Sequence, residues 1–455
     1  MSPGRLTALM LGVSAILGTL VVSPSEREVA TEVVETIEPV LAQDQGTTTK
    51  RVQVEGSGGG QVFTSTKGCN ATNNGGATDL GVTATEIRLA STVVQSGLGA
   101  SFLSSSPLAM KAVVNHVNAQ GGICGRILTL NMVNDGWDQQ RGLTFMRNFI
   151  KEGYFALPVV PSSEGLTAAI DSGDIEKAGI PVVGTDGMLI QQYRSAWVWP
   201  VATATVSTMR AMTRYAHQKG SKTFALVYDE FYKFGREGAD AWRAYVKKIT
   251  GAEPKAFVGI QPGQSSYGTK IQQFNQACSN ECDFVALLLE PGTAETWIAG
   301  RPQLGRKITS GAQTLFNERF AKNCGADCDG MLVWTGYNPP IGGLASLPDV
   351  RRFVQDVKAV SPTIDVTNQF LEGAYLGMSV FVEAMRQVGP NLTRKRLQTV
   401  LNSMTYRSDL ASTLSWTRTK RHANASAQAF SIRVENGSFA GFRNEQTGWV
   451  RDPEL

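Results

Sequence analysis

The chain has 455 residues, 42% hydrophobic and 18% charged, the profile of an ordinary globular protein long enough for two or three domains. Its 43 basic and 39 acidic side chains leave a net charge of +4, which gives no electrostatic footprint for nucleic acid or a membrane surface. The basic runs Arg394–Arg396 and Arg418–Arg421 are short and read as solvated faces of a helix or hairpin.

Arg5 precedes an apolar run from Leu6 to Val22. Residues 1–22 therefore read as an export signal or, because no small-x-small cleavage site follows, as a retained N-terminal membrane anchor. Residues 23–80 are rich in Thr, Glu, Ser and Gly and read as a flexible tether. The run GSGGG at 56–60 is no phosphate loop, since it has no preceding strand, no following helix and no Lys-Ser/Thr. An exported chain meets an oxidising compartment, so its six cysteines favour disulfides. The preferred framework has local bridges Cys278–Cys282 and Cys324–Cys328, leaving Cys69 and Cys124 to pair. A four-thiolate zinc site from the two local pairs is the alternative, and no metal is the expectation.

From Glu86 onward strands alternate with helices. EIRLASTVV is strand-like, and Ser106-Pro107 opens a helix that presents Ala109, Ala112, Val113, His116 and Val117 on one face before Gly121-Gly122 stops it. RILTLNMV is the next strand, and a helix from about Asp138 buries Leu143, Met146, Phe149 and Ile150. FALPVV and IPVVG bracket a further helix, and the alternation runs on through FALVYD, KAFVGIQ, FVALLLE, KITSG and GMLVWTGY. Apolar strands alternating with helices predict parallel sheets covered on both faces, with ligands at the carboxyl ends of the strands. The loop from Gln95 to Ser106, VVPSSEG and VVGTDGM occupy such positions, and Trp137 lies at the same edge, as a roof or as packing. After Tyr337-Asn338-Pro339-Pro340 the pattern changes to a long helix over about 367–388, a shorter one near 393–403, and strands from about Ser412 with a hairpin turn at Asn436-Gly437.

The segments GVTATEIRLASTVVQSGLGASF, NAQGGICGR, VVPSSEG, GIPVVGT and ALVYDEFYKFGREGADAW, in this order, resemble the branched-chain-amino-acid type of periplasmic binding protein, over roughly residues 81–450. The resemblance implies an α/β fold of two doubly wound parallel-sheet lobes closing over a ligand. Three hinge crossings join them, near 200–206, 336–341 and 405–412. The first lobe would take 81–203 with 340–405, and the second 204–339 with 406–455. Gln95, Ser96 and Phe102 would belong to the first half-site, and Ser162 or Ser163 would grip a carboxylate or merely cap a helix. Gly184, Thr185 and Asp186 fall in the next binding loop. Asp186 is awkward there, so its side chain either faces away or meets a cationic group. Phe234 would supply the opposing aromatic wall unless it is simply core. Where amino-acid binders of this type place an acid for the ammonium, this chain reads Ala312-Gln313. Either Glu290 substitutes, or the ligand is no α-amino acid.

His116, His217 and His422 are the only histidines, and H-E-x-x-H, G-x-S-x-G, Walker and complete G-x-G-x-x-G motifs are all missing from the sequence. The expectation is a binder and not an enzyme, a cofactor-free, extracytoplasmic monomer that hands a small solute to an ABC permease. A sensory ligand-binding protein without a transport partner is the alternative. A repressor of this fold would need an N-terminal helix-turn-helix in place of the apolar run.

Overall fold

The computed structural model describes residues 33–37, 68–278, 282–300, 310–416, 428–440 and 449–454. Residues 1–22, the glycine run at 56–60, Arg418–Arg421 and His422 lie outside the described residues.

The first strand is β1 (Val33–Ile37). The alternating region opens with β2 (Glu86–Val93), α1 (Ala100–Leu103), α2 (Ser106–Ala119), β3 (Ile127–Asn134), α3 (Gln139–Lys151), β4 (Leu157–Val160), α4 (Ser163–Asp171), α5 (Asp174–Ala178), β5 (Val182–Thr185) and β6 (Val198–Trp199). Strands β3 and β2 pair in parallel, as do β4, β5 and β6, and a parallel bridge from Leu89 to Ala156 joins the two sets in the order β3-β2-β4-β5-β6. Strand β1 adds antiparallel to β3. Both faces are covered, so the strands carry near-continuous apolar runs.

The chain then crosses into a second sheet. Its elements are α6 (Thr205–Gln218), β7 (Phe224–Asp229), α7 (Lys233–Thr250), β8 (Ala256–Ile260), α8 (Gly268–Cys278), β9 (Phe284–Leu288), α9 (Pro291–Ala299), β10 (Ser310–Gly311), α10 (Glu318–Cys324) and β11 (Leu332–Thr335). The parallel order is β8-β7-β9-β10-β11. It returns to the first lobe for α11 (Pro348–Val360), α12 (Gln369–Val388) and α13 (Arg394–Leu401), followed by the hairpin β12 (Thr405–Ser408) and β13 (Ala411–Ser415). Finally β14 (Gln428–Glu435) adds antiparallel to β11, with β15 (Ser438–Phe439) and β16 (Val450–Arg451) paired to it. Asn436 and Gly437 turn β14 into β15 with positive φ at both, as such a hairpin turn requires.

Helices α2, α11 and α12 pack one face of the first sheet through Val113, Phe353, Leu371 and Phe381, while Met146, Phe149, Leu166 and Ile175 fill the other. In the second lobe Ile271, Trp297 and Phe320 lie on one side, and Met209, Trp242 and Val246 on the other. All six cysteines pair, as Cys69–Cys124, Cys278–Cys282 and Cys324–Cys328. His116 is a rim histidine, its Nδ1 3.1 Å from Asp356 Oδ1.

Three local readings are corrected. Ser105, not Ser106, stands at the N-cap of α2, because Pro107 fits either of the first two helical positions. The hairpin β12–β13 belongs to the first core, where Tyr406, Leu410, Leu414 and Trp416 are buried, so residues 406–416 go with the first lobe and not with the second. The stretch 23–80 is not wholly a tether. It contains β1, and from Gly68 the chain is strapped to the first lobe by the Cys69–Cys124 bridge. Buried Arg126 holds that strap by donating to the carbonyls of Asn74, Gly76 and Thr83. Asp79 Oδ2 accepts from the Arg394 amide at 2.6 Å.

Candidate functional site

Both sheets grow outward in two directions, and the reversal falls between β2 and β4 in one lobe and between β7 and β9 in the other. Loops beyond the carboxyl ends of such strands form a crevice. Here the two crevices meet. Phe102, Trp137 and Met188 from the first lobe share one buried cluster with Met209, Phe234 and Trp334 from the second. The lobes are closed on one another.

The turn after β3 sets the first wall. Asp135 Oδ1 accepts the Trp137 amide at 2.9 Å, and Gly136 and Trp137 both take left-handed φ near +62°, which swings the indole across the strand ends. The indole Nε1 donates to Ser163 Oγ at 3.1 Å. Its ring stacks on Tyr232 of the opposite lobe, centroids 4.2 Å apart, with Phe234 at 5.7 Å behind. Phe102 meets Trp137 edge-on at 5.5 Å and Phe370, at the start of α12, at 5.1 Å. The aromatic wall thus runs unbroken across the cleft. Offset and edge-on pairs of this kind contribute roughly 0.5–1.5 kcal/mol each beyond area burial.

The loops after β4 and β5 form the polar floor. Ser162 and Ser163 are fully buried at the start of α4. The Ser163 amide donates to Asp186 Oδ2 at 3.0 Å, while Asp186 Oδ1 accepts from the Met188 amide at 3.1 Å and from Gln192 Nε2 at 2.8 Å. Burial pushes the Asp186 carboxyl up to about 6 against those donors. Asp135 is pushed to about 7 by burial, opposed by the Ser162 hydroxyl and the Trp137 amide. Thr185 Oγ1 donates to Gln192 Oε1 at 2.7 Å. A small pocket opens beside this floor, lined by Ser106, Pro161, Thr185, Asp186, Tyr337, Gln369 and Phe370 among others, with room for roughly one water.

The second lobe contributes acids and one amide. Asp229 Oδ1 accepts the Phe231 and Tyr232 amides at 2.8 and 2.9 Å, and Oδ2 has no hydrogen-bond partner among the described residues. Burial raises Asp229 to about 6, with the nearby Glu290 carboxylate adding to the shift. The Tyr232 hydroxyl is pushed up to about 12 by burial and by the Asp229, Glu164 and Glu290 carboxylates. Gln313 Nε2 donates to Thr205 Oγ1 at 2.7 Å, and its Oε1 lies buried without a partner among the described residues.

The residues singled out in the sequence thus separate. Phe102, Trp137, Ser162, Ser163, Thr185, Asp186 and Phe234 converge on the cleft and its floor. Gln95 and Ser96 do not: both are exposed, pinned through the Gln95 amide and the Ser96 hydroxyl to the Asn134 side chain at 2.9 and 3.0 Å. Gly184 serves packing. A Cβ there would lie 2.9 Å from Gly377 Cα, and its φ of +87° already excludes most side chains. Glu290 caps α9, accepting the Gly292 and Thr293 amides at 2.8 and 2.5 Å, and accepts Ser101 Oγ across the cleft at 3.2 Å. Sequence reading missed Tyr232, Asp135, Phe370 and Tyr337. Of these only Tyr232 carried a visible signal, in the aromatic run Phe231-Tyr232-Lys233-Phe234.

A family model described as periplasmic binding protein matches residues 86–438. No curated protein matches the sequence. Among solved structures, a fatty acid ABC transporter substrate-binding protein from Thermomonospora curvata aligns with TM-score 0.68 at 18% identity, over 81% of this chain and 95% of that one. A branched chain amino acid ABC transporter protein from Thermus thermophilus with bound valine gives TM-score 0.70 at 14% identity, over 79% and 96%. An ABC transporter substrate-binding protein from Sphaerobacter thermophilus gives 0.69 at 16%, over 81% and 100%. At these identities the likeness is one of fold. The family match spans most of the sequence, and the chain belongs to the periplasmic binding protein family, extracytoplasmic solute-binding proteins and not enzymes.

Proposed function

We propose that this protein captures a small amphipathic solute between its two lobes and delivers it to an ABC importer in the membrane. The observation that carries this reading is the aromatic contact across the cleft, Trp137 on Tyr232 at 4.2 Å, at the carboxyl ends where both sheets reverse. Phe102, Trp137, Tyr232 and Phe234 would hold the apolar part of the solute, and Ser162, Ser163, Thr185, Asp186 and Gln313 its polar part. The hinge would be the three passages between the sheets, after β6, after β11 and after β13. Solute bound to both half-sites shifts the population toward the closed arrangement by its differential affinity for that state.

The test is a titration of the purified chain with a panel of amino acids, aliphatic acids, amides, amines, sugars and short peptides. Tryptophan emission and small-angle scattering follow it together. A receptor shows saturable binding of one class, with a change in indole emission and a smaller radius of gyration. Saturable binding with neither change would leave a binder without lobe closure, and no binding by any class would overturn the reading.

A further inference from the structure

A solute carboxylate at the N-terminus of α4 would need the free amide of Ser163 and the positive end of the helix. Both are already taken. Asp186 reaches back from the loop after β5, and its carboxylate accepts that amide at 3.0 Å while Met188 N and Gln192 Nε2 hold its other oxygen. A second carboxylate there meets a fixed, fully buried like charge. At such separations and partial desolvation, repulsion lowers affinity by about a hundred- to a thousandfold.

The surroundings are rich in acceptors. Asp186 is the one charged residue among those lining the pocket beside it. Asp186 accepts from the Ser163 and Met188 amides and from Gln192 Nε2, with the Ser163 hydroxyl beside it, so a cation there meets the carboxylate chiefly through its charge. Tyr337, on the pocket wall, lies within electrostatic reach of Asp186 and of Glu372. Glu372 is buried, and its Oε1 has no partner among the described residues. Across the cleft, Asp229 Oδ2 and Gln313 Oε1 are likewise buried and unpartnered among the described residues. Phe370 on the pocket wall continues to Phe102 at 5.1 Å and from there to the edge of Trp137 at 5.5 Å, an aromatic surface suited to the apolar body of a cation.

We propose that Asp186 fills, from within the chain, the position a solute carboxylate would take, and that the cleft accordingly takes a carboxylate-free organic amine. Its ammonium enters the pocket beside Asp186, and its apolar body lies against Phe370, Phe102 and the edge of Trp137. The inference rests on the receptor reading above and names the solute class for that site.

Matched compounds test it on the full chain at pH 7.5 by calorimetry: 3-methylbutylamine, leucine, leucinamide and 4-methylpentanoate, with phenethylamine and phenylalanine as a second pair. The amines and the amide bind at least tenfold more tightly than the corresponding amino acids, and the acid does not bind. Asp186→Asn, close to isosteric, weakens the amines and narrows the gap to the amino acids. If leucine, phenylalanine or the acid binds as tightly as the matched amine to the unaltered chain, the inference falls and the receptor reading stands. The inference also falls if only a different class from the broad panel binds. If nothing binds from any class, the receptor reading falls and takes the inference with it. The comparison on the unaltered chain decides even if the variant does not fold.

Discussion

At the scale of single residues, the cleft concentrates buried acids, with no buried cation beside them among the described residues. Asp135, raised to about 7 by burial, makes stability depend on pH. A carboxyl whose folded-state pKa lies above its unfolded value holds its proton more tightly in the native state, so stability falls as pH rises between the two. For Asp135 that window runs from about 4 to about 7. Asp186 and Asp229 act in the same direction up to about 6. The ligand-free protein should therefore lose stability from pH 4.5 to pH 7.5 in this component, on the order of 3 kcal/mol for Asp135 alone. Asp135→Asn should flatten the corresponding part of a denaturant-midpoint profile. An unchanged slope would show that the carboxyl is already ionised in the fold. Asp135 was not legible in the sequence, because Asn134-Asp135-Gly136 reads as a solvated turn and its burial comes from elsewhere. Helices α3 and α4 close over it at Gly142 and Gly165, where a Cβ on either would come within 2.7 Å of the other's Cα.

At the scale of elements, tight backbone approaches and covalent ties carry definite costs. Gly184→Ala places a Cβ 2.9 Å from Gly377 Cα and 3.0 Å from Val159, at a φ of +87°. It should destabilise by about 2 kcal/mol or more, read as a lowered urea midpoint with unchanged slope. The disulfides should rank by loop length. Replacing Cys69 and Cys124, separated by 55 positions, should cost about 4 kcal/mol on the chain-entropy account. Replacing Cys324 and Cys328, separated by 4, should cost about 2 kcal/mol. Equal losses would point to strain or to structure in the unfolded chain as the controlling factor. Most strands and helices were legible because apolar runs of five or so residues alternate with amphipathic stretches ended by glycine, as Gly153 and Gly251 show. The hairpin β12–β13 was assigned to the wrong lobe for a physical reason. Its alternation marks a half-buried strand pair, but nothing local says which core Tyr406, Leu414 and Trp416 will join.

At the scale of the molecule, contacts across the cleft hold the closed arrangement. Ser101 Oγ on Glu290 and the Trp137–Tyr232 stack are two of them. Tyr232→Ala removes one face of the stack without touching the α9 cap, and should weaken solute binding about tenfold or more while leaving the unfolding midpoint of the ligand-free chain within about 1 kcal/mol. Ser101→Ala should have a smaller effect in the same direction. A Tyr232→Ala protein that binds as well as the parent would move the solute elsewhere in the cleft. The resemblance pointed to Phe234 as the opposing aromatic wall or as core, and gave no sign of Tyr232 beside it. Tyr232, just before α7, is half-buried and makes the closer stack on Trp137 at 4.2 Å, with Phe234 fully buried behind it at 5.7 Å.

The strap between Gly68 and Thr85 also fixes where mechanical load enters. It is welded to the first lobe by Cys69–Cys124, by the Arg126 guanidinium on three of its carbonyls, and by Asp79 on the Arg394 amide. Any pull on the chain preceding residue 68 is therefore delivered to the first lobe alone. Held from that end, the first lobe would be the stationary jaw, and the swing of the proposed closure would belong to the second.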